Sequence, residues 1–213
     1  MPDIKHFNPD IVLDDAIEIF WRQGLPATGI QALVTATGVS RSSLYATFGN
    51  KDGLYTAALA RYIDRHSTPA FAHLASATSG LTAIEEFFSS LIEIRCSGAV
   101  AGWGCMVTNA YAGPECADAG VRTLLEDHHT ALWSAMRAAL ASAADLGQLQ
   151  PSTDLDAAAS VLATLAYGVN LRSRAGADAQ SLTDTVTAAL APLRTSTTRT
   201  IPATPTTSKE PTP

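Results

Sequence analysis

Acidic side chains are missing from one long stretch of this chain: between Glu18 and Asp52 there is none, although the 213 residues carry 20 Asp and Glu against 14 Lys and Arg. A formal charge of -6 argues, taken alone, against a nucleic-acid partner. Arg22, Arg41 and Lys51 nevertheless fall inside the acid-free window, so a surface built from it is locally positive. Cysteine is scarce as well. Three residues, Cys96, Cys105 and Cys116, argue against a framework of structural disulfides. No apolar run approaches the length of a bilayer span and no basic leader precedes an apolar stretch, which predicts a soluble, cytoplasmic chain with no membrane partner. Runs of β-branched residues are few, Ala and Leu are abundant, and 46% of residues are hydrophobic. An all-α fold with a sizeable core follows.

Residues 28–51, TGIQALVTATGVSRSSLYATFGNK, spell two short helices around a glycine turn. Thr28 is suited to cap the first, in which Ile30, Leu33 and Val34 recur at helical spacing. Gly38 ends it, since glycine readily takes positive φ, and Val39 points inward to pin the turn. Ser40 then caps a second helix over residues 41–48. At 100° per residue Leu44 and Phe48 share its buried side, leaving Arg41, Ser42, Tyr45 and Ala46 outward. A helix with small outward residues can enter a major groove, where Arg41 suits guanine and Tyr45 and Thr47 reach phosphate oxygens.

The run FWRQGLPATGIQALVTATGVSRSSLYATFGNKDGLYTAAL resembles the N-terminal domain of the TetR/AcrR family of transcriptional regulators, over about the first 60 residues. The glycine before the first reader helix, the G-V-S turn, the L-Y-x-x-F core and the K-x-x-L that follows fall in one register. The resemblance implies that Thr28 and Gln31 lie near backbone and base edges, that Arg41, Ser42, Tyr45 and Ala46 face the groove, and that Ser43, Thr47 and Lys51 hold phosphates. The chain departs from the family at Ala32-Leu33-Val34, where Ile-Ala or Leu-Ala is common, and at Gly53, which loosens the next helix.

Around this reader the sequence predicts a supporting helix over residues 9–22, with Ile11, Val12, Ala16, Ile19 and Phe20 inward, closed by Gly24. Residues 1–49 form the DNA-binding domain and residues 50–66 a connecting helix. Residues 67–194 form an effector and dimerisation domain, with breaks at Pro69 and at Ser76 to Gly80 and helices over 82–97, 116–146, 154–174 and 181–193. The tail, 195–213, is rich in Thr, Pro and Ser and reads as disordered. The segment LAYGVNLRSRAGADAQSLTDTVTAAL resembles the end of family C-terminal domains, where two helices pack on their copies. It implies a homodimer, with Leu165 and Val169 at the interface. A twofold dimer is also what a palindromic or near-palindromic operator needs, one short helix covering only a few base pairs.

The segment GWGCMVTNAYAGPE, residues 102–115, resembles a G-C-L-x-x-N-x-x-x-E stretch of a family subset, with Glu115 one residue late. Trp103, Cys105, Asn109, Tyr111 and His128 are the candidate walls of a site for a small, mostly apolar or aromatic effector. Arg95, Asn170 and His129 are further polar neighbours. His128 and His129 lack companions at metal-ligand spacing, so no metal or other cofactor is expected. The reading is a ligand-responsive repressor, not an enzyme. The alternatives are a thiol sensor of the same fold using Cys105, as in some relatives, and a Cys105–His128 enzyme, for which no orienting third residue is recognisable.

Overall fold

Asn8 starts the first helix, its side-chain oxygen accepting from the Asp10 N–H at 2.9 Å, with Pro9 in the first turn where no N–H is required. In the computed structural model, which describes residues 7–195, this is α1 (Pro9–Ala27), kinked at Gly24 where φ is 77°. Val12, Ala16, Ile19 and Phe20 face inward as expected, but Ile11 is exposed and Ile17 and Trp21 are buried. The apolar arc therefore widens toward the C-terminal end of α1. Helices α2 (Ile30–Thr37) and α3 (Arg41–Phe48) meet at Gly38, whose φ of 66° is the left-handed conformation that a side chain resists. Ser40 caps α3, accepting from the Ser43 N–H at 3.2 Å.

Thr28 does not cap α2. Gly29 holds that place without a side-chain bond, while Thr28 is buried and donates its hydroxyl to the Gly24 carbonyl at 2.6 Å. The kink leaves that carbonyl in need of a partner, and the nearest hydroxyl supplies it. Gly53 also differs from expectation. Asn50 caps α4 (Lys51–Tyr62) through the Gly53 N–H at 2.7 Å, and a Cβ on Gly53 would stand 2.2 Å from the Phe48 carbonyl oxygen. The missing side chain lets α3 and α4 meet closely.

Arg61 on α4 grips Asp14 on α1 through two bonds of 2.6 and 2.9 Å and reaches Asp10 at 3.2 Å. Its hydrogen bond holds the Asp14 carboxyl below the usual carboxylate range. Beyond Tyr62 the chain does not break at Pro69. A π-helical turn (Ile63–Ser67) leads straight into α5 (Thr68–Ser76), with Pro69 in its first turn. The widened turn relieves the clash between the proline ring and the carbonyl four residues back. Only residues 77–80 interrupt the helical path before α6.

The remainder comprises α6 (Leu81–Cys96), α7 (Met106–Ala112), a 3-10 turn (Pro114–Ala117), α8 (Ala119–Asp145), α9 (Leu155–Arg174), α10 (Ala179–Leu190) and a closing 3-10 turn (Ala191–Leu193). Asp118, Asp154 and Asp178 cap α8, α9 and α10, each accepting backbone N–H bonds. Among the described residues no helix is long and apolar enough to cross a membrane. The disorder expected of the tail concerns residues beyond Thr195, outside the described ones.

Two cores result. One gathers Leu74, Phe88, Leu132, Met136, Leu162 and Val169 from α5, α6, α8 and α9. The other gathers Phe20, Leu33, Leu44, Leu54 and Tyr62 with Met106, Val107, Val121 and Leu125. Residues of α7 and the start of α8, assigned from sequence to the second domain, thus share the core of the reader.

Candidate nucleic-acid interface and buried cavity

On α3, Leu44 is fully buried while Arg41, Ser42 and Ala46 are exposed and Ser43, Tyr45 and Thr47 are half-buried. Gln31, in the first turn of α2, is exposed. The Arg41 guanidinium lies over the Tyr45 ring at 5.1 Å, one turn away, so two outward groups orient each other. Ser40 Oγ is bonded to Ser42 Oγ at 2.9 Å and to Ser43 Oγ at 3.0 Å, gathering three hydroxyls at the start of the helix. Thr28, being buried with its hydroxyl engaged, anchors the loop and presents no group outward.

Lys51 is the larger surprise. Its Nζ donates to the carbonyls of Leu25 and Thr28, both at 2.9 Å, clamping the end of α1 against the loop that starts α2. Arg22 in turn lies over the Trp103 ring at 5.9 Å. Of the three cations in the acid-free window, Arg41 is the one carried on the outward face of α3.

A cavity of about 420 Å³ opens between the two cores. Cys105 and His128 line it, as expected, together with Arg95, Asn170, Phe87 and Tyr167. Trp103, Asn109 and Tyr111 do not. Trp103 meets Trp21 edge-on at 5.5 Å, Asn109 donates to the Trp103 carbonyl at 2.9 Å, and Tyr111 donates to the Leu125 carbonyl at 2.7 Å on the outside of α7. These contacts brace the 102–112 segment: Asn109 satisfies a carbonyl within it, while Trp103 and Tyr111 tie it to α1 and α8.

The sequence reading missed the walls that come from the first 71 residues, Trp21, Tyr62, His66 and Phe71 among them. A signal for Trp21 existed in the Ile17/Trp21 pair, one turn apart and off the main stripe of α1. Trp21 donates its indole N–H to the Gly104 carbonyl at 3.0 Å, and Tyr62 donates to Cys105 Sγ at 3.6 Å while accepting from Arg95 Nη2 at 3.2 Å. Trp21 of α1, ahead of the kink at Gly24, and Tyr62, the last residue of α4, are therefore part of the cavity wall.

Burial pushes the Tyr62 hydroxyl above its ordinary pKa and pulls His128 down to about 4, the charge of His129 adding to the second shift. His128 Nε2 pairs with Ser67 Oγ at 3.1 Å, and Tyr167 Oη lies 3.4 Å from the Nδ1 of both His128 and His129. Cys105 and His128 share the cavity, but the hydrogen bonds they make go to Tyr62 and to Ser67 and Tyr167 and do not join the two. Glu115 faces elsewhere: it is buried and accepts from the Tyr55 hydroxyl at 3.2 Å, tying the α7–α8 connection to α4.

The expected interface residues on α9 fall on its inner side. Val169 is only 1% exposed and Leu165 is half-buried against the same core. The outward stripe is Val161, Thr164, Gly168 and Leu171, with Val161 60% and Leu171 54% exposed. Alternating apolar stripes on an alanine-rich helix made the inner one look free.

This architecture can be set beside known proteins. Residues 12–58 match the family described as "Bacterial regulatory proteins, tetR family", and residues 80–189 match "Tetracyclin repressor-like, C-terminal domain". The chain belongs to the TetR family. This TetR-family protein is 29% identical over 180 residues to the HTH-type transcriptional repressor ComR of Escherichia coli (strain K12), covering 84% of this chain and 85% of ComR. It is 27% identical over 190 residues to the uncharacterized HTH-type transcriptional regulator YezE of Bacillus subtilis (strain 168), covering 89% and 97%. Among solved structures, a cysteine mutant of the TetR family transcriptional regulator CifR, complexed with 26bp double-strand operator DNA, superposes with a TM-score of 0.74 at 28% identity, covering 87% of this chain and 97% of CifR. The N-terminal match contains α2 and α3, and the C-terminal match runs from α6 into α10.

Proposed function

We propose that this protein is a sequence-specific transcriptional repressor that binds double-stranded operator DNA as a homodimer and is released by a small molecule held in the cavity. The observation that carries the reading is the sharing of one wall: Trp21 of the reader's α1 and Tyr62 at the end of α4 line the cavity. A ligand there touches the supports of α3 directly. The similarity to ComR, a repressor, and to operator-bound CifR supports the DNA half of the reading. Dimerisation is assigned to the outward α9 stripe, whose Val161 and Leu171 leave apolar surface that a second copy would cover.

Two orientations of α4 give the mechanism. One sets paired α3 helices at half-site spacing, and ligand favours the other. A coupling of about 1–3 kcal/mol lowers operator affinity 5- to 150-fold, and DNA lowers ligand affinity by the same factor.

The test is binding to duplexes flanking the gene. Two protomers per near-palindromic duplex are expected, and Arg41→Ala and Tyr45→Ala should each weaken binding, Arg41→Ala by about 2 kcal/mol per half-site. Unaltered affinity in both variants, or indifference to base order, defeats the reading.

A second reading rests on Cys105. Its Sγ accepts from Tyr62, which itself accepts from Arg95, so the sulfur closes a chain of donors in the cavity wall. Under this reading N-ethylmaleimide or peroxide releases operator from wild type and leaves the Cys105→Ser complex intact, with at least a tenfold difference in residual binding, about 1.4 kcal/mol. Equal release from both eliminates it.

A further inference from the structure

Arg95 stands at the C-terminal end of α6 with its side chain turned into the cavity. The residue is only 8% exposed. Its Nε donates to Asn170 Oδ1 at 2.6 Å and its Nη2 to Tyr62 Oη at 3.2 Å, both neutral acceptors. Among the described residues no carboxylate oxygen lies within 4.0 Å of it. Five N–H donors belong to a guanidinium, and the hydrogen bonds to described residues use two of them.

Other contacts offset the charge in part. The Trp21 ring faces the guanidinium at 5.4 Å, and the end of α6 contributes the equivalent of about half a negative charge. Neither supplies the full counter-charge that a buried cation calls for. Glu86 also lines the cavity, but it is exposed and nine residues earlier on α6, about 13 Å along the axis. Burial lowers the pKa of both His66 and His128, which works against further positive charge from these two beside Arg95. A second polar group waits on the same wall: Thr108 is 7% exposed, and its Oγ1 has no hydrogen-bond partner.

We infer that the effector is an organic anion, a flat aromatic body bearing a carboxylate-type head, and that Arg95 is the residue that receives the head. The inference rests on the cavity being the effector site of the proposed repressor. Trp21, Phe71, Phe87 and Tyr167 offer ring faces and edges to the body. The guanidinium fork suits a two-oxygen head through its unused donors, and Thr108 can add a neutral one. An anion drawing Arg95 toward itself competes with Tyr62 for Nη2. That would loosen a tie between α6 and the end of α4, the link through which release must pass.

Two fluorescent probes isolate the charge: 8-anilinonaphthalene-1-sulfonate and N-phenyl-1-naphthylamine share one skeleton and differ by the sulfonate. The full chain is expected to bind the sulfonate about 10-fold or more tightly than the neutral amine. Arg95→Met should bring the two affinities together with little change for the amine, whereas Arg95→Lys should keep the preference. In wild type, 2-naphthoate should displace the sulfonate and 2-naphthamide should not, which tests the assignment even if Arg95→Met fails to fold. A purely structural Arg95 would change melting temperature and leave the probe ratio alone. Equal affinities in wild type, a preference that survives in Arg95→Met, or binding of neither probe overturns the inference. Operator binding by the unliganded protein is measured separately. Its absence refutes the repressor reading, while a probe ratio near one refutes only the anionic ligand.

Discussion

Lowering the pH from 7 to 4 is expected to remove about 3 kcal/mol of stability through His128 alone. The imidazole is 5% exposed, bonded to Ser67, and held by burial at a pKa of about 4 in the folded protein, against an ordinary value of about 6.5. The direction follows from proton counting. Below pH 6.5 the unfolded chain binds a proton that the folded protein refuses, so the folded state loses ground as pH falls through the window from 6.5 to 4. Beneath pH 4 both states are protonated and the loss levels off. His128→Gln keeps a neutral group near Ser67 and has no proton to take up. Urea midpoints at pH 7 and pH 5 should therefore fall more for wild type than for the variant, by about 2 kcal/mol in unfolding free energy. Parallel pH profiles would show that the imidazole is not the group responsible.

Lys51→Met is expected to cost about 3 kcal/mol, since two charge-assisted hydrogen bonds to the Leu25 and Thr28 carbonyls disappear together. Operator affinity should fall with it, because the clamp fixes how α2 leaves the kinked end of α1. The salt dependence distinguishes this role from the one that the family resemblance implies. A lysine on a phosphate contributes about one unit to the slope of log affinity against log salt, while a clamp contributes none. The variant should thus bind more weakly at every salt concentration along a parallel line. A slope reduced by about one per protomer would return Lys51 to the phosphate backbone.

Both predictions turn on side chains whose partners lie far along the chain. His128 is 61 residues from Ser67, and Lys51 is 23 and 26 residues from its two carbonyls. The reader itself was legible because its signals are local: the left-handed glycine at 38, the cap at Ser40, and Leu33 and Leu44 at the right angular positions to be buried. The three aspartate caps of α8, α9 and α10 belong with these, each acting within three residues of itself. Pro69 shows where local rules end, its usual breaking effect being absorbed by a π-helical turn. On α9, the family resemblance pointed to Leu165 and Val169, and helical spacing alone could not say which face the rest of the fold would cover.

Periodicity and capping thus decided from the chain alone that this is a helical protein with a two-helix reader near its start. They could do so because those energies depend on neighbours three or four residues apart. The cavity, the inward turn of Lys51 and the partly compensated charge of Arg95 came from packing. Each depends on which distant backbone carbonyl, ring or hydroxyl arrives beside a side chain, and long-range hydrophobic burial selects that neighbour without leaving a periodic mark in the sequence.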